Sequence, residues 1–168
     1  GVRDFWRLDL QSGELIPILT QTGAYEVQLS PDQKQLAYRF STSTQPWEIY
    51  TCSIKNPKDQ VQMTTSTSEI FLSQTWQKPE ILSFKGSDGI EVYARMYAPK
   101  PELKNGAAVL FVHGAGYLQN AHHYWSYYQR EFLFHQMLIE KGYTVLDVDY
   151  RASEGYGRNY RTAIYRHM

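Results

Sequence analysis

His113-Gly114-Ala115-Gly116 stands directly after the apolar run Ala107–Val112. Small residues let the backbone approach a ligand closely and leave amide N–H groups uncovered. Fixed N–H donors of this kind meet the negative charge that develops on a carbonyl oxygen during acyl transfer. His113 and Gly114 are therefore the candidate catalytic residues, as members of an oxyanion-binding loop. A plain tight turn between strand and helix would use the same small residues, so position has to separate the two readings. In open sheets that alternate with helices, ligands bind beyond the carboxyl ends of the strands, which is where this tetrapeptide falls.

The other chemically capable residues read as structural. His122 and His123 are adjacent, so they point to different sides of a helix and cannot chelate one ion together. Glu131 and His135 lie four apart, yet no His-Glu-x-x-His pattern surrounds them, so no metal site is assigned. Tyr124, Trp125, Tyr127 and Tyr128 read as helix packing. Arg151 is expected to pin its loop through Glu154 or Asp149, and Cys52 to serve as a small buried apolar group. Asp4, Asp9, Asp32 and Asp59 sit in or beside turns, which suits Asp without catalysis. No cofactor is implied.

These residues need elements to position them. Pro79–Phe84, the turn Gly86–Gly89 and Ile90–Ala98 read as a hairpin. Ala107–Val112 is continuously apolar, as expected of a strand covered on both faces. From Ala121 to Lys141, Trp125, Tyr128, Phe132, His135 and Ile139 recur at helical spacing, and Gly142 stands at the C-cap position. Tyr143–Tyr150 is the next buried strand, and a helix starts at about Asn159. Strand, helix, strand is the start of a mainly parallel α/β sheet.

The first half reads as short strands and turns. Phe5–Leu10, Glu14–Thr20, Tyr25–Leu29, Gln35–Ser41, Trp47–Ile54 and Gln60–Thr65 alternate or cluster apolar residues. Lys55–Asp59 is the expected turn before the last of them. Phe5–Leu10 with its following strand resembles Trp47–Cys52 with its own, at an offset of about 42–44 residues, the length of a four-stranded propeller blade. A generic antiparallel sandwich is the alternative. The fold class expected is mixed: β-propeller blades as antiparallel four-stranded meanders, then, as the family resemblance given below implies, the N-terminal part of an α/β-hydrolase sheet. The division falls at 1–75 and 76–168.

Composition bounds the function classes. Apolar residues make up 42% of 168 and aromatic residues 15%, which excludes a disordered chain. Seventeen basic residues balance seventeen acidic ones, so no nucleic-acid partner is expected. One cysteine excludes an internal disulfide framework. No apolar run approaches the roughly 20 residues of a membrane span. Gly1–Asp4 shows no leader pattern, and Tyr160–Met168 reads as a helix without a cap or polar tail. Both ends therefore read as cuts in a longer protein, with periplasmic and cytoplasmic locations both open. Exposed strand edges in such a piece imply a possible homo-oligomer.

Leu110–Gly116, Gly142–Arg151 and Ser153–Arg158 together resemble the prolyl oligopeptidase family of serine peptidases, with the dipeptidyl peptidase IV-like branch nearest. Phe84–Gly89 resembles the family's hinge into its catalytic domain, and a propeller ahead of that domain matches the first half. The resemblance implies a peptide substrate and a Ser-Asp-His triad with the Ser in a Gly-x-Ser-x-Gly elbow. That elbow is absent: Ser153, the nearest look-alike, has Arg151 two before it and Gly155 two after. The triad is therefore expected beyond Met168, and the chain alone is expected to be inactive. Dipeptidyl peptidase IV-like members carry Tyr where His113 stands, which departs from that branch and resembles a His-Gly-Gly-type loop instead. An esterase-type hydrolase and a propeller binding module with a degenerate hydrolase half are the competing readings.

Overall fold

The structure, a computed structural model, describes residues 1–114 and 117–166. It falls into two compact units. One comprises Val2–Thr75 with His123–Trp125; the other comprises Gly1, Trp76–His122 and the chain from Ser126 onward.

In the first unit, β1 (Phe5–Leu8) and β2 (Leu15–Leu19) form an antiparallel pair. A four-stranded antiparallel meander follows in the order β3 (Ala24–Leu29), β4 (Gln35–Thr42), β5 (Gln45–Ser53), β6 (Asn56–Gln62). Its register follows from alternation, since a slip of one residue would turn every apolar side chain outward. In β4, Leu36, Tyr38 and Phe40 are buried while Gln35, Ala37 and Arg39 are exposed. Tyr25 lies opposite Phe40, Tyr38 opposite Tyr50, and Leu36 opposite Cys52. With Leu19 these residues form one core, to which Phe5, Ile18, Val27 and Ile54 are joined. This is the blade architecture that the repeat and alternation predict.

Local differences have local causes. The expected turn at Lys55–Asp59 is a shorter one: Ser53 pairs with Asn56, and Pro57 lies within β6. An edge strand tolerates Pro because half its N–H groups need no ladder partner. After β6, the buried Glu48 carboxylate accepts the Ser66 N–H at 2.7 Å and the Ser66 hydroxyl at 2.8 Å. A four-residue helix, α1 (Glu69–Leu72), is capped by Ser68, whose hydroxyl accepts the Phe71 N–H.

The second unit is a mixed sheet in the order β7 (Glu80–Lys85), β8 (Glu91–Tyr97), β10 (Thr144–Asp149), β9 (Ala108–Val112). β7 and β8 form the expected hairpin, closed by Gly86–Gly89, where Gly89 has φ +76°. β8 and β10 are antiparallel, and only β9 and β10 run parallel. This sheet thus begins antiparallel, and its parallel part is the unit made by β9, α2 (Gln129–Glu140) and β10. No helix among the described residues is long and apolar enough to cross a membrane.

β9 departs from expectation. Val109 and Phe111 are half-buried, whereas Leu110 is 62% and Val112 54% exposed. The strand is at the edge of the four-stranded sheet, and helix packing covers one of its faces. α2 lies on the face that bears Tyr97 and Phe111: Phe132 meets Tyr97 edge-on at 6.5 Å between centroids, and His135 sits 5.2 Å from Phe111. Gln77 and Gln136 exchange two hydrogen bonds, at 3.0 and 2.9 Å, which ties the segment before β7 to this helix. Burial of Phe132 and Ile139, each 1% exposed, contributes roughly 1.5–3 kcal/mol apiece.

The helix is also shorter than the spacing predicts. It starts at Gln129, not near Ala121. Side chains capture the amides ahead of it: the Asp149 carboxylate takes those of Asn120 and Ala121, and the Ser126 hydroxyl takes that of Tyr128. Trp125 and Tyr128 therefore lie outside the helix. Tyr124 and Trp125 pack with Trp47 and Phe71 in the blade unit, and Tyr127 is 58% exposed. The expected helix after Asn159 is brief, α3 (Arg158–Thr162), and His167 and Met168 lie outside the described residues.

At the other end of α2 the expectation holds. Gly142 has φ +88°, and its N–H bonds the Ile139 carbonyl. A Cβ there would collide with the Leu103 backbone carbonyl. Gly142→Ala is expected to cost ~2 kcal/mol or more, combining left-handed strain with a backbone clash. Urea unfolding of the full-length protein checks this, and a loss below ~0.5 kcal/mol would contradict the packing described.

Candidate active-site loop

His113 and Gly114 follow β9 immediately, at its carboxyl end. Ala115 and Gly116 of the expected loop lie outside the described residues. His113 does not face solvent; it is 3% exposed. Its Nδ1–H donates to the Gly114 carbonyl at 2.8 Å, which fixes the proton on that nitrogen because a carbonyl only accepts. Its Nε2 lies 2.9 Å from the Ser153 hydroxyl and 3.4 Å from Asp149 Oδ1.

Asp149, fully buried at the end of β10, gathers the surrounding chain. Oδ1 accepts the Asn120 N–H at 2.7 Å. Oδ2 accepts the Ala121 N–H at 2.9 Å and the Tyr156 hydroxyl at 2.6 Å. The backbone carbonyl of Asp149 accepts the Tyr160 hydroxyl at 2.6 Å. Burial pushes the Asp149 carboxyl up, but His113, Tyr156 and the two amides outweigh it and hold it below the usual carboxylate range. Burial likewise pulls the His113 ring down, and the Asp149 carboxylate with the Gly114 carbonyl reverses this and holds it above the ordinary histidine value.

Two residues earlier on the same face of β10, Asp147 is also fully buried. It receives Arg95 Nε at 3.2 Å and Nη2 at 2.5 Å, and the Asn120 side-chain amide at 2.9 Å. Arg95 and Asp147 are direct cross-strand partners, so sheet register alone brings them together. Arg95 Nη2 also lies 3.5 Å from the Ser126 hydroxyl.

Ser153, His113 and Asp149 thus stand together, but not as a nucleophilic triad. The same ring nitrogen faces both partners, and the Ser153 hydroxyl is fully buried. A working triad needs the base between nucleophile and acid through opposite nitrogens. The arrangement is a clamp. It ties the residues after β9 to the loop after β10, whose Ala152 is held at φ +126° in a buried position. The neighbouring Tyr156 ring stacks on Tyr93 at 4.6 Å.

The Gly114 N–H, a candidate donor, is engaged by neither strand nor helix pairing. It donates to the Tyr128 hydroxyl at 3.3 Å. Arg151 pairs with Asp88 at 2.6 Å, instead of with Glu154 or Asp149 as the sequence leads one to expect. Both side chains are substantially exposed, so the pair contributes at most about 1 kcal/mol. His122 is buried and His123 half-buried, while His135 lies between Tyr97 and Phe111 with its pKa lowered by burial. Among the described residues no three His, Cys, Asp or Glu side chains gather as metal ligands. The Arg95–Asp147 pair and the Asp149 hub escaped sequence reasoning. Two acids alternating in an otherwise apolar strand were the available signal.

No protein-family model matches the chain. It is similar to the uncharacterized peptidase YuxL of Bacillus subtilis, 27% identical over 140 residues that cover 81% of this chain and 20% of that protein. Its fold is similar to that of Pyrococcus horikoshii acylaminoacyl peptidase, with a TM-score of 0.68 and 23% identity over 98% of this chain and 24% of that one. It is similar again to Porphyromonas gingivalis dipeptidyl peptidase 4, with a TM-score of 0.77 and 17% identity over 98% and 23%. A Mycobacterium tuberculosis puromycin-hydrolyzing peptidase gives a TM-score of 0.73 and 20% identity over 98% and 25%. The chain thus spans about a fifth to a quarter of the length of the proteins it matches. They carry the fold expected from the sequence: propeller strands followed by the start of a hydrolase sheet.

His113 and His135, both buried, should have midpoints displaced in opposite directions. The His113 contribution to stability is full below about pH 6.5 and fades as pH rises through its higher folded-state value. The His135 contribution is full above about pH 6.5 and fades as pH falls through its lower one. Ring-carbon NMR titration of the full-length protein should give His113 the higher midpoint. His113→Gln should destabilise by ~1–3 kcal/mol near pH 5.5 and by less at pH 9. A reversed order of midpoints would refute the clamp.

Proposed function

We propose that this chain is a portion of a longer serine-type peptidase of the prolyl oligopeptidase kind, acting on oligopeptides through an acyl-enzyme. On this reading residues 1–75 end its β-propeller and residues 76–168 begin its catalytic domain. The observation that carries it is the Gly114 amide, at the carboxyl end of β9, turned to a side-chain hydroxyl instead of a backbone partner. An N–H so placed is a donor for the oxygen of a tetrahedral intermediate, and one such donor is typically worth about 10²–10³ in rate. His113 acts beneath it as a positioning residue, holding the Gly114 carbonyl from its buried place.

Nucleophile, base and acid are assigned to residues outside this chain, since Ser153 and His113 are buried in the clamp. The names of the similar proteins support a peptidase. Of the branches, the dipeptidyl peptidase gives the higher TM-score and the acylaminoacyl peptidase the higher identity, and His113 in place of Tyr argues against the dipeptidyl one.

The full-length protein is expected to cleave peptide amides, to prefer them over simple acyl esters, and to be labelled by a fluorophosphonate. The 168-residue chain alone should show neither turnover nor labelling. Ester hydrolysis without peptide cleavage would favour the esterase, absence of both with an intact fold would favour a binding module, and labelling of the short chain would overturn the assignment of the nucleophile.

A further inference from the structure

The connection from β8 to β9 ends in Asn105-Gly106, the one Asn-Gly step in the sequence. Asn105 clasps the C-terminal end of α2 from outside. Its backbone N–H donates to the Gly142 carbonyl at 3.1 Å, and its side-chain Nδ2 donates to the Lys141 carbonyl at 3.0 Å. Lys141 is the C-cap, and the last carbonyls of a helix have no partner within it, so the Asn105 amide takes a place that the helix leaves open. Asn105 Oδ1 accepts the Ala107 N–H at 2.9 Å, which folds the side chain back along the Gly106 peptide. Ala107 is itself held, since its carbonyl accepts the Thr144 N–H at 3.0 Å. Gly106 is exposed at φ +81°, with nothing within 4 Å of where a Cβ would stand. Its N–H donates to no group among the described residues.

We propose that Asn105 is a site of spontaneous modification: its side-chain amide is hydrolysed by way of a cyclic imide, and the change unfastens the end of α2. The attacking group is the Gly106 nitrogen, which has no hydrogen bond to give up and no Cβ beside it. The Ala107 N–H draws charge from the Asn105 carbonyl and faces the oxygen that turns negative as the nitrogen adds. The bond from the Gly106 nitrogen to Cγ forms and the Cγ–Nδ2 bond breaks. Nδ2 leaves as ammonia, with the proton that Gly106 gives up through solvent. Water then opens the ring, so that one water is consumed and one ammonia released. Cleavage at Cγ leaves aspartate; cleavage at the main-chain carbonyl leaves isoaspartate, with the chain routed through Cβ and Cγ. The bond to Lys141 is the contact that must break, and an exposed hydrogen bond has a small net worth because water replaces it. Either product removes the donor to the Lys141 carbonyl and adds a carboxylate beside it. That charge is also repelled by the negative end of the helix dipole.

The test ages the full-length protein in 18O-enriched water at neutral and at alkaline pH. Peptide mass spectrometry should show residue 105 gaining the mass of an amide-to-acid exchange, with one heavy oxygen built in. The gain should be faster at alkaline pH and should run ahead of Asn56, Asn120 and Asn159. Hydrogen exchange at the Lys141, Gly142 and Tyr143 amides should then be about two- to tenfold faster in the aged protein, as the loss of one ordinary hydrogen bond implies. Asn105→Asp should speed exchange at the same amides without ageing; if that variant does not fold, the aged wild type decides. An Asn105 that stays intact in the native protein while it converts in urea would overturn the proposal, because the clasp would then protect the side chain. Conversion that leaves exchange at the three amides unchanged would overturn it too, since the end of α2 would not depend on the amide. Neither readout uses activity, so both stand whichever way the peptidase reading falls.

Discussion

The second unit depends on the ionised, buried carboxylate of Asp149. A charge taken out of water is costly unless donors surround it. Here the donors come from separate stretches: His113 after β9, Asn120 and Ala121 before α2, and Tyr156 before α3. The carboxylate therefore acts as a cross-link that only the native arrangement can build. Its desolvation makes each donor necessary, because a missing one would leave charge exposed to a low-dielectric interior. One consequence is local: amides given to Asp149 are lost to helix formation, so the chain from 120 to 128 stays irregular and can bring Tyr128 across to Gly114.

The Arg95–Asp147 pair lies alongside it on the same sheet face, with Asn120 spanning both: its backbone N–H on Asp149, its side-chain amide on Asp147. Such a network adds little net stability over a hydrophobic packing of equal volume. Its value is geometric. Ser126, within reach of Arg95, also fixes the Tyr128 amide, so the ion pair is linked to the backbone of a residue that touches the loop. The strained φ of buried Ala152 fits the same account, since Ser153 follows it directly and must present its hydroxyl to His113.

What could be read from the sequence followed distance along the chain. Alternation in Gln35–Phe40 specified a strand with one buried face, and Gly142 specified the end of α2, because both signals are local. The run Ala107–Val112 specified a strand but not its surroundings: an apolar pentapeptide reads the same in the middle of a sheet or at its edge, and Leu110 and Val112 are exposed. The helical spacing of Trp125 and Tyr128 with Phe132 misled for a different reason. Asp149 lies more than twenty residues downstream, and no periodicity within 121–141 shows that a later carboxylate will take the first amides. Of the site, the position of His113 and Gly114 was legible, while the burial of the His113 ring was not. A histidine beside small residues looks like exposed chemistry until Ser153 and Asp149 close over it.

That burial divides the work within the loop. A ring with both nitrogens committed cannot exchange protons with a substrate, so His113 is excluded as a base by its own hydrogen bonds. Among the described loop residues, exposed Gly114 keeps its backbone N–H outside strand and helix pairing, and in the proposed oxyanion role a donor needs no proton exchange to stabilise charge. In that proposed role, rigid groups beneath the amide are what electrostatic stabilisation requires. The donors must already point at the oxygen, and the group in the oxygen's place must leave at little cost. A hydroxyl at 3.3 Å meets the second condition, since a bond of that length is weaker than the charge-assisted one that would replace it.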